Sequence, residues 1–286
     1  MAPAGAAAQD LEPRAYSASP VGANFVVVGY GQSNGKIMFD AAAPIANARA
    51  DLNLATVGYG HVFGLAGRQA NISLALPYIW GAASGDVGED RRVAERSGLG
   101  DMRVRASVLL MGGPALSPKD FAARKPKPIL GVSLAAIAPT GEYMRGKLVN
   151  IGANRWTFKP EIGVSIPLGH WQADAYAAVW LYQDNDDYFG GKHLERDPMS
   201  AFQAHVSYTF RPGLWAAIDG TYYSGGATTT NGVKDANRQE NVRLGLSVSV
   251  PVRRGQAVQL MASKGALTRF GGDFTSIAVT WRAVKF

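Results

Sequence analysis

The stretch that decides the fold alternates apolar and polar side chains over ten residues: Phe202-Gln203-Ala204-His205-Val206-Ser207-Tyr208-Thr209-Phe210-Arg211. Because successive side chains of a strand point to opposite faces, this stretch predicts a strand with one apolar and one polar face. The same alternation recurs at 102–110, 156–166 and 242–250. A period of two along most of the chain therefore predicts an all-β protein.

Turn residues divide the chain into about twelve such segments. We place them near 22–32, 49–63, 68–83, 98–112, 128–141, 154–168, 171–184, 198–211, 214–224, 239–250, 256–268 and 273–286. Tight connections alternate with longer polar ones, near 33–48, 84–97, 142–153, 185–197 and 225–238. Short periplasmic turns and longer extracellular loops are typical of bacterial outer-membrane barrels. The pattern predicts a closed antiparallel transmembrane β-barrel of about 12 strands, and a two-sheet sandwich is the alternative.

The composition supports this prediction and excludes several classes of site. The 286 residues are 47% hydrophobic, yet the sequence has no run of the ~20 apolar residues that a transmembrane helix needs. A chain without such a helix crosses a membrane only as a closed barrel. With no cysteine, the chain has no disulfide and no thiol ligand. The net charge of +7 is spread along the chain, so we expect no nucleic-acid partner.

The two ends of the chain carry export and assembly signals. Residues 6–8 are Ala-Ala-Ala, the small-x-small form of a signal-peptidase site. We therefore expect a residual signal-peptide tail at 1–8, an N-terminal periplasmic segment at 9–21 and the barrel at 22–286. The terminal Phe286 resembles the signal through which the last strand engages the barrel-assembly machinery. In a regular strand, Phe286 would lie on the face opposite Ile277 and Trp281. A bulge near Arg282-Ala283 is therefore expected, because it would bring them to the same face.

One of the tight connections is longer than the others. In residues 113–127, Ser117 is suited to the N-cap position and Pro118 to the first turn of a helix. We expect a short connecting helix there that ends at Pro126.

The polar faces of the strands carry many charged residues, which a barrel turns towards its lumen. These candidate lumen-lining residues are Arg103, Arg105, Lys159, Glu161, Asp174, His205, Arg211, Asp219, Arg243 and Arg282. They are either a selectivity lining or a set of salt bridges that stiffens the wall. Basic residues outnumber acidic ones, which favours an anionic or polarised solute.

An acidic cluster lies in one extracellular loop. Asp184, Asp186 and Asp187 could supply oxygen ligands to Ca²⁺, but the spacing lacks the glycine and closing glutamate of an EF-hand. A solvated turn is the favoured interpretation, and we expect no metal. Tyr188 and Phe189 follow the cluster, where they would cover the barrel mouth or contact an apolar ligand.

His205 and Ser207 share one strand face at the spacing of the dyad in outer-membrane phospholipase A. A nucleophile next to a base is the chemistry that ester hydrolysis requires. However, the pair shares its face with Gln203 and Arg211, which indicates a position in the lumen. A lipid hydrolase is therefore only the alternative function.

Several longer motifs resemble one known family over nearly the whole chain from 11 to 286. They are LEPRAYS (11–17), SGLGDMRVR (97–105), NRWTFKPE (154–161), DNDDYFGG (184–191), YTFRPGLW (208–215) and TYYSGG (221–226). The family is that of the outer-membrane barrels named for the meta-pathway of phenol degradation. The resemblance implies a barrel that helps small, often aromatic or apolar, molecules to cross the outer membrane. It implies no particular binding residues.

The sequence thus predicts a passive outer-membrane channel for a small molecule, surrounded by outer-membrane lipid. We expect no catalysis and no cofactor. The alternatives are the lipid hydrolase and a structural or adhesive barrel that acts through its outer loops.

Overall fold

The computed structural model describes residues 11–38 and 45–286. This part of the chain contains one short helix, α1 (Pro118–Ala122), and seventeen strands. The strands are β1 (Asn24–Met38), β2 (Ala46–Leu65), β3 (Arg68–Val87), β4 (Asp90–Leu99), β5 (Arg103–Met111), β6 (Ile129–Ile137), β7 (Thr157–Leu168), β8 (Trp171–Tyr182), β9 (Asn185–Tyr188), β10 (Lys192–Arg196), β11 (Met199–Arg211), β12 (Leu214–Gly225), β13 (Thr228–Thr230), β14 (Val233–Lys234), β15 (Gln239–Arg253), β16 (Gln256–Thr268) and β17 (Gly271–Lys285).

Thirteen of these strands form one antiparallel sheet that closes on itself. The order is β2-β1-β17-β16-β15-β12-β11-β8-β7-β6-β5-β3-β4, and β2 also pairs with β3. Both β4 and β5 pair with β3, β4 along 78–87 and β5 along 70–75, so together they occupy one position in the wall. The closed barrel of twelve strand positions confirms the predicted fold. No helix in the described ranges is long and apolar enough to span a bilayer.

The two faces of the wall follow the alternation in the sequence. Phe202, Val206 and Phe210 are exposed on the outer face of β11, whereas His205 and Ser207 between them are buried inside. Apolar side chains on the outside suit lipid, and backbone groups paired around a closed sheet need no water. The face assignment made from the sequence is correct for this strand.

The tight connections predicted at 64–67, 168–170, 212–213 and 253–255 are hairpins at one end of the barrel. The turn between β2 and β3 has positive φ at Ala66 (48°) and Gly67 (75°), a type I′ conformation that matches the twist of paired strands. The predicted helix is also present, because the Ser117 hydroxyl accepts a hydrogen bond from the Asp120 amide. It ends at Ala122, before Pro126 is reached.

The expected loops at the other end contain more strand than the alternation predicts. The segment 84–97 is part of the β3–β4 hairpin, interrupted only at 88–89, and β1 and β2 extend into 33–48. Residues 185–197 and 225–238 contribute β9, β10, β13 and β14, which form a separate four-stranded sheet. These strands project beyond the lipid, where both faces meet water, so the apolar-polar period that reveals a strand is lost.

Two expectations about the chain ends differ from the structure. Every residue of β17 pairs in register with β1, from Asn24↔Lys285 to Met38↔Gly271, so the bulge expected at Arg282-Ala283 is absent. The described part of the expected periplasmic segment, from Leu11 onwards, contacts the inner wall of the barrel, as detailed below. The expected signal-peptide tail at 1–8 lies outside the described residues, and engagement of the assembly machinery by Phe286 stays a prediction.

The ends of the barrel can be assigned to the two sides of the membrane by labelling. In this cysteine-free chain, Lys192→Cys lies at the long-loop end and Lys125→Cys in the connection after α1, and both positions are exposed. We expect an impermeant thiol reagent to label the first variant on whole cells and the second only after the outer membrane is opened. Labelling of Lys125→Cys on intact cells would reverse the orientation.

An arginine introduced on the outer face should lower the free energy of unfolding more than an arginine introduced on the inner face. Val206→Arg places a cation in the lipid and should lower the free energy of unfolding by ~2–4 kcal/mol. Leu54→Arg is the matched control, because Leu54 faces the lumen and is 38% exposed. Urea unfolding in lipid vesicles measures both, and an equal loss in the two variants contradicts the assigned faces.

Candidate functional site in the barrel lumen

The N-terminal segment enters the lumen from the short-turn end and lies against the wall. The Glu12 amide donates to the Gln203 side chain (3.3 Å), and the Arg14 guanidinium donates to the hydroxyls of Ser207 (2.9 Å) and Thr209 (2.8 Å). A segment without a partner strand needs acceptors and donors for its polar groups, and the polar inner wall supplies them. Residues 11–21 therefore differ from the expected periplasmic segment because they complete the interior of the barrel.

Tyr16 anchors this segment in a recess of the wall. Its ring is 1% exposed and lies against Gly131 and Gly163, where a Cβ at either position would overlap with the ring. The Tyr16 hydroxyl donates to the Glu161 carboxylate at 3.0 Å and lies 3.0 Å from the Ser133 hydroxyl. The recess thus combines shape, set by two glycines, with hydrogen bonds that satisfy the buried hydroxyl.

The charged residues of β5 and β7 are paired. Arg103 contacts Glu12 of the N-terminal segment at 2.7 Å, while Arg105 (3.2 Å) and Lys159 (2.8 Å) both contact Glu161. Lys159 and Glu161 are buried. Buried charges are tolerated when they are paired and hydrogen-bonded, so these four predicted lining residues form the salt-bridged wall.

His205 and Asp219 form a second buried pair, on β11 and β12. The His205 Nδ1 lies 2.7 Å from the Asp219 carboxylate, which also accepts from Ser247 at 2.6 Å. The His205 Nε2 faces the Gln203 side chain at 3.3 Å, and Ser207 is bound by Arg14. Both ring nitrogens of His205 thus have partners other than Ser207, and the structure does not bring together the dyad that the hydrolase alternative requires.

The other predicted lining residues occupy different environments. Asp174 is buried and accepts from Gln172 at 2.9 Å, and Arg243 is buried and donates to Ser263 (2.7 Å) and to the Phe274 carbonyl (3.0 Å). Arg211 lies at the hairpin that ends β11 and is exposed there. Arg282 faces inwards opposite Val27 and is exposed to the lumen.

The lumen has a packed side and an open side. One row of cross-strand neighbours runs along the inner face from Ser247 through Met261, Ala278 and Gly31 to Leu54. Ser247 is 1% exposed, the middle three residues are partly exposed, and Leu54 is 38% exposed. The wall from β5 to β15 is therefore covered by its own network and the N-terminal segment, whereas β16, β17, β1, β2 and β3 border open space.

The carboxylates of the expected acidic loop lie in or next to β9 and contact two basic side chains. Asp186 (2.7 Å) and Asp184 (3.8 Å) contact His193 of β10, while Asp187 contacts Arg145. The hydrogen bond that the His193 ring donates to Asp186 raises the pKa of His193. The described residues contain no group of side chains arranged to hold a metal ion.

The two aromatic residues after this strand differ in exposure. Tyr188 is half-buried at the end of β9, whereas Phe189 is exposed in the following turn. Their predicted role at the barrel mouth stays a prediction.

The connection between β6 and β7 folds into the outer mouth. Asp101, in the break between β4 and β5, accepts from the amides of Gly141 (2.9 Å) and Ala153 (2.8 Å) and fixes both ends of this connection. Burial raises the pKa of Asp101, and the two amide hydrogen bonds oppose that change. Sequence reasoning missed this contact and the Tyr16 recess, since single residues in irregular segments carry no periodic signal.

The Tyr16 recess predicts different effects for two glycine substitutions. Gly163→Ala places a methyl group against the rings of Tyr16 and Tyr176, and we expect it to lower the free energy of unfolding by ~1–3 kcal/mol. Gly31→Ala is the control, because its Cβ would lie 3.5 Å from the Ala278 Cβ, an ordinary contact. Urea titration compares them, and equal stability of the two variants would show that the recess does not hold Tyr16.

Comparisons with known proteins agree with this architecture. A family model described as "Putative MetA-pathway of phenol degradation" matches residues 27–277. An outer membrane channel from Pseudomonas putida F1 is 22% identical, with a TM-score of 0.81, and the match covers 96% of this chain and 100% of that chain.

More distant structures share the barrel. The β domain of the Bordetella autotransporter BrkA is 13% identical, with a TM-score of 0.56, over 91% of this chain and 99% of that chain. A KdgM porin in complex with disordered oligogalacturonate is 8% identical, with a TM-score of 0.51, over 92% of this chain and 99% of that chain. No curated protein matches the sequence. The match to the family model covers most of the chain, which therefore belongs to the family of the putative MetA pathway of phenol degradation and forms an outer-membrane barrel.

Proposed function

We propose that this barrel is a passive channel that carries a small molecule with an apolar or aromatic body across the outer membrane. The observation that carries the proposal is the open side of the lumen. The exposed fraction along the Ser247–Leu54 row rises from 1% to 38% although every member faces inwards. Solvent thus has access to this side of the inner wall, which supports a path along it.

The lining of the open side is small and mostly uncharged. Gly29, Gly31, Ser33 and Thr280 face inwards on β1 and β17 and are partly exposed, with Leu54 beside them on β2. Small side chains leave room near the wall, and neutral ones offer no fixed charge to hold ions. These features support a neutral or apolar molecular body, and they do not favour a path lined with charge.

The charges of the opposite side are engaged with one another. Arg103, Arg105 and Lys159 contact Glu12 or Glu161, and His205 contacts Asp219. Their fields at the open side are reduced because each cation lies close to an anion. Arg282 is the predicted lining cation that remains exposed to the lumen. It supports a mild preference for a solute with a negative or polarised group.

The geometry argues against the hydrolase alternative. Ser207 is completely buried and accepts a hydrogen bond from Arg14, while His205 faces Asp219 and Gln203. Both residues lie on the inner face, away from the lipid that an outer-membrane lipase must reach. We therefore infer a channel without catalysis.

Two neighbouring residues of β17 test the path directly. Ala278→Trp fills the open side, because Ala278 faces inwards next to Gly31, whereas Ile277→Trp points to lipid. We expect the first variant to lower the single-channel conductance in planar bilayers several-fold and the second to leave it unchanged.

Folded protein is confirmed for both variants by its heat-modifiable migration. A conductance that is the same in both variants would place the path elsewhere, and a wild type that never conducts would refute the channel.

A further inference from the structure

Three buried hydrogen-bond donors at the outer end of the lumen have no partner within the described structure. They are the Trp180 Nε1, the Tyr182 hydroxyl and the Arg155 Nη1. Trp180 is 3% exposed and Arg155 is 8% exposed. Buried polar groups are nearly always satisfied, and each one that is left without a partner costs free energy. All three groups can donate, so the missing partner is an acceptor.

The same place carries an excess of positive charge. The Arg155 guanidinium lies 5.1 Å from the centre of the Tyr182 ring, and the Arg196 guanidinium lies 4.5 Å from it. Among the described residues, neither arginine has a carboxylate within salt-bridge distance. Burial, with a contribution from Arg196, lowers the pKa of Arg155 to about 10. The two cations lie against one aromatic ring, and the carboxylate that acts on Arg155, that of Asp184, lies beyond salt-bridge distance.

An apolar cluster lies on one side of the donors, and the Lys159 ammonium lies 5.4 Å from the centre of the Trp180 ring. Trp180 packs with Ala178, Met199, Ala201 and Tyr223, and Tyr182 packs against this cluster. An anion placed beside the donors would therefore have a flat hydrophobic wall next to it. Arg155 precedes β7 in the connection from β6, which Asp101 holds near both ends, so the donors lie where this connection meets the wall.

We propose that Arg155, Trp180 and Tyr182 form a subsite that binds the anionic head group of a small aromatic acid at the outer mouth. The head group accepts hydrogen bonds from the Arg155 guanidinium, the Trp180 ring nitrogen and the Tyr182 hydroxyl, while Arg196 adds a second positive charge. The aromatic body packs against Trp180 and Met199. The subsite rests on the proposed channel function, for which it names the class of solute.

The test uses sodium benzoate as the probe and benzyl alcohol as its neutral counterpart. Both are titrated by calorimetry into the folded barrel in detergent. We expect benzoate to bind more tightly than benzyl alcohol. Arg155→Gln should weaken benzoate binding by about tenfold or more, since hydrogen bonds to charged groups are the strong ones. Tyr182→Phe removes one donor with little change in shape, and Trp180→Phe removes one donor together with part of the ring. Each should weaken benzoate binding by a smaller factor.

Arg238→Gln is the matched control, because Arg238 is an exposed arginine that donates to Ser224 outside this cluster. It should leave benzoate binding unchanged. Benzoate should also raise the thermal midpoint of the wild type and of the control, but not that of Arg155→Gln. Should Arg155→Gln fail to fold, the two phenylalanine variants decide the question.

The outcomes separate this subsite from the channel. Equal binding of benzoate and benzyl alcohol, or benzoate binding that survives all three substitutions, overturns the subsite even when the wild type conducts. Benzoate binding that depends on Arg155 in a barrel without conductance supports the subsite and refutes the channel. Ala278→Trp should block conductance while benzoate binding persists, because Ala278 lies on the open side.

Discussion

The pairing of the first strand with the last is the constraint on which the rest of this structure depends. Within a bilayer, every backbone N–H and C=O group needs a partner, and an open sheet edge would leave a row of them without one. All fifteen residues of β1 pair with β17, and β2 joins β3 on the other side. Closure fixes which side chains face inwards, and it therefore determines every contact in the lumen.

Closure also turns the polar side chains into a confined lumen, where they form ion pairs and hydrogen bonds with one another. Arg103, Arg105 and Lys159 face a lumen in which Glu161 alone cannot balance three cations. The N-terminal segment supplies the second carboxylate, Glu12, and the Tyr16 hydroxyl adds a hydrogen bond to Glu161. The segment is thus part of the charge balance of the wall. These side chains fill the packed side of the lumen, from β5 to β15, and open space remains along β16, β17, β1, β2 and β3.

The sequence could predict most of the wall, because a strand with lipid on one side and polar contacts on the other has an unmistakable period. The face of Val206 and the inward positions of Asp219 and Arg243 followed from it. The period fails where both faces are wet, which is why 84–97 resembled a loop although it forms the β3–β4 hairpin.

The contacts among the side chains inside the lumen could not be predicted in this way. Tyr16 lies in an irregular segment, and Gly131 and Gly163 gain their meaning only once the Tyr16 ring is placed against them. Likewise, the spacing of His205 and Ser207 suggested a dyad. In the structure, His205 contacts Asp219 and Gln203, and Ser207 accepts a hydrogen bond from Arg14. Long-range pairing decided each of these partners, and residue spacing along one strand contains no information about it.

The length of β2 and β3 has a consequence for life at the cell surface. Each has 20 residues, and at about 3.3 Å per residue and a tilt of about 40° the hairpin stands roughly 50 Å tall. The apolar band of such barrels is only about 25 Å high. Much of this hairpin therefore stands in water, yet its backbone stays paired. Proteases need a locally unfolded segment, and they cut exposed loop tips most readily. On this side of the barrel, enzymes secreted by neighbouring cells meet a rigid ribbon in which few peptide bonds can be cleaved.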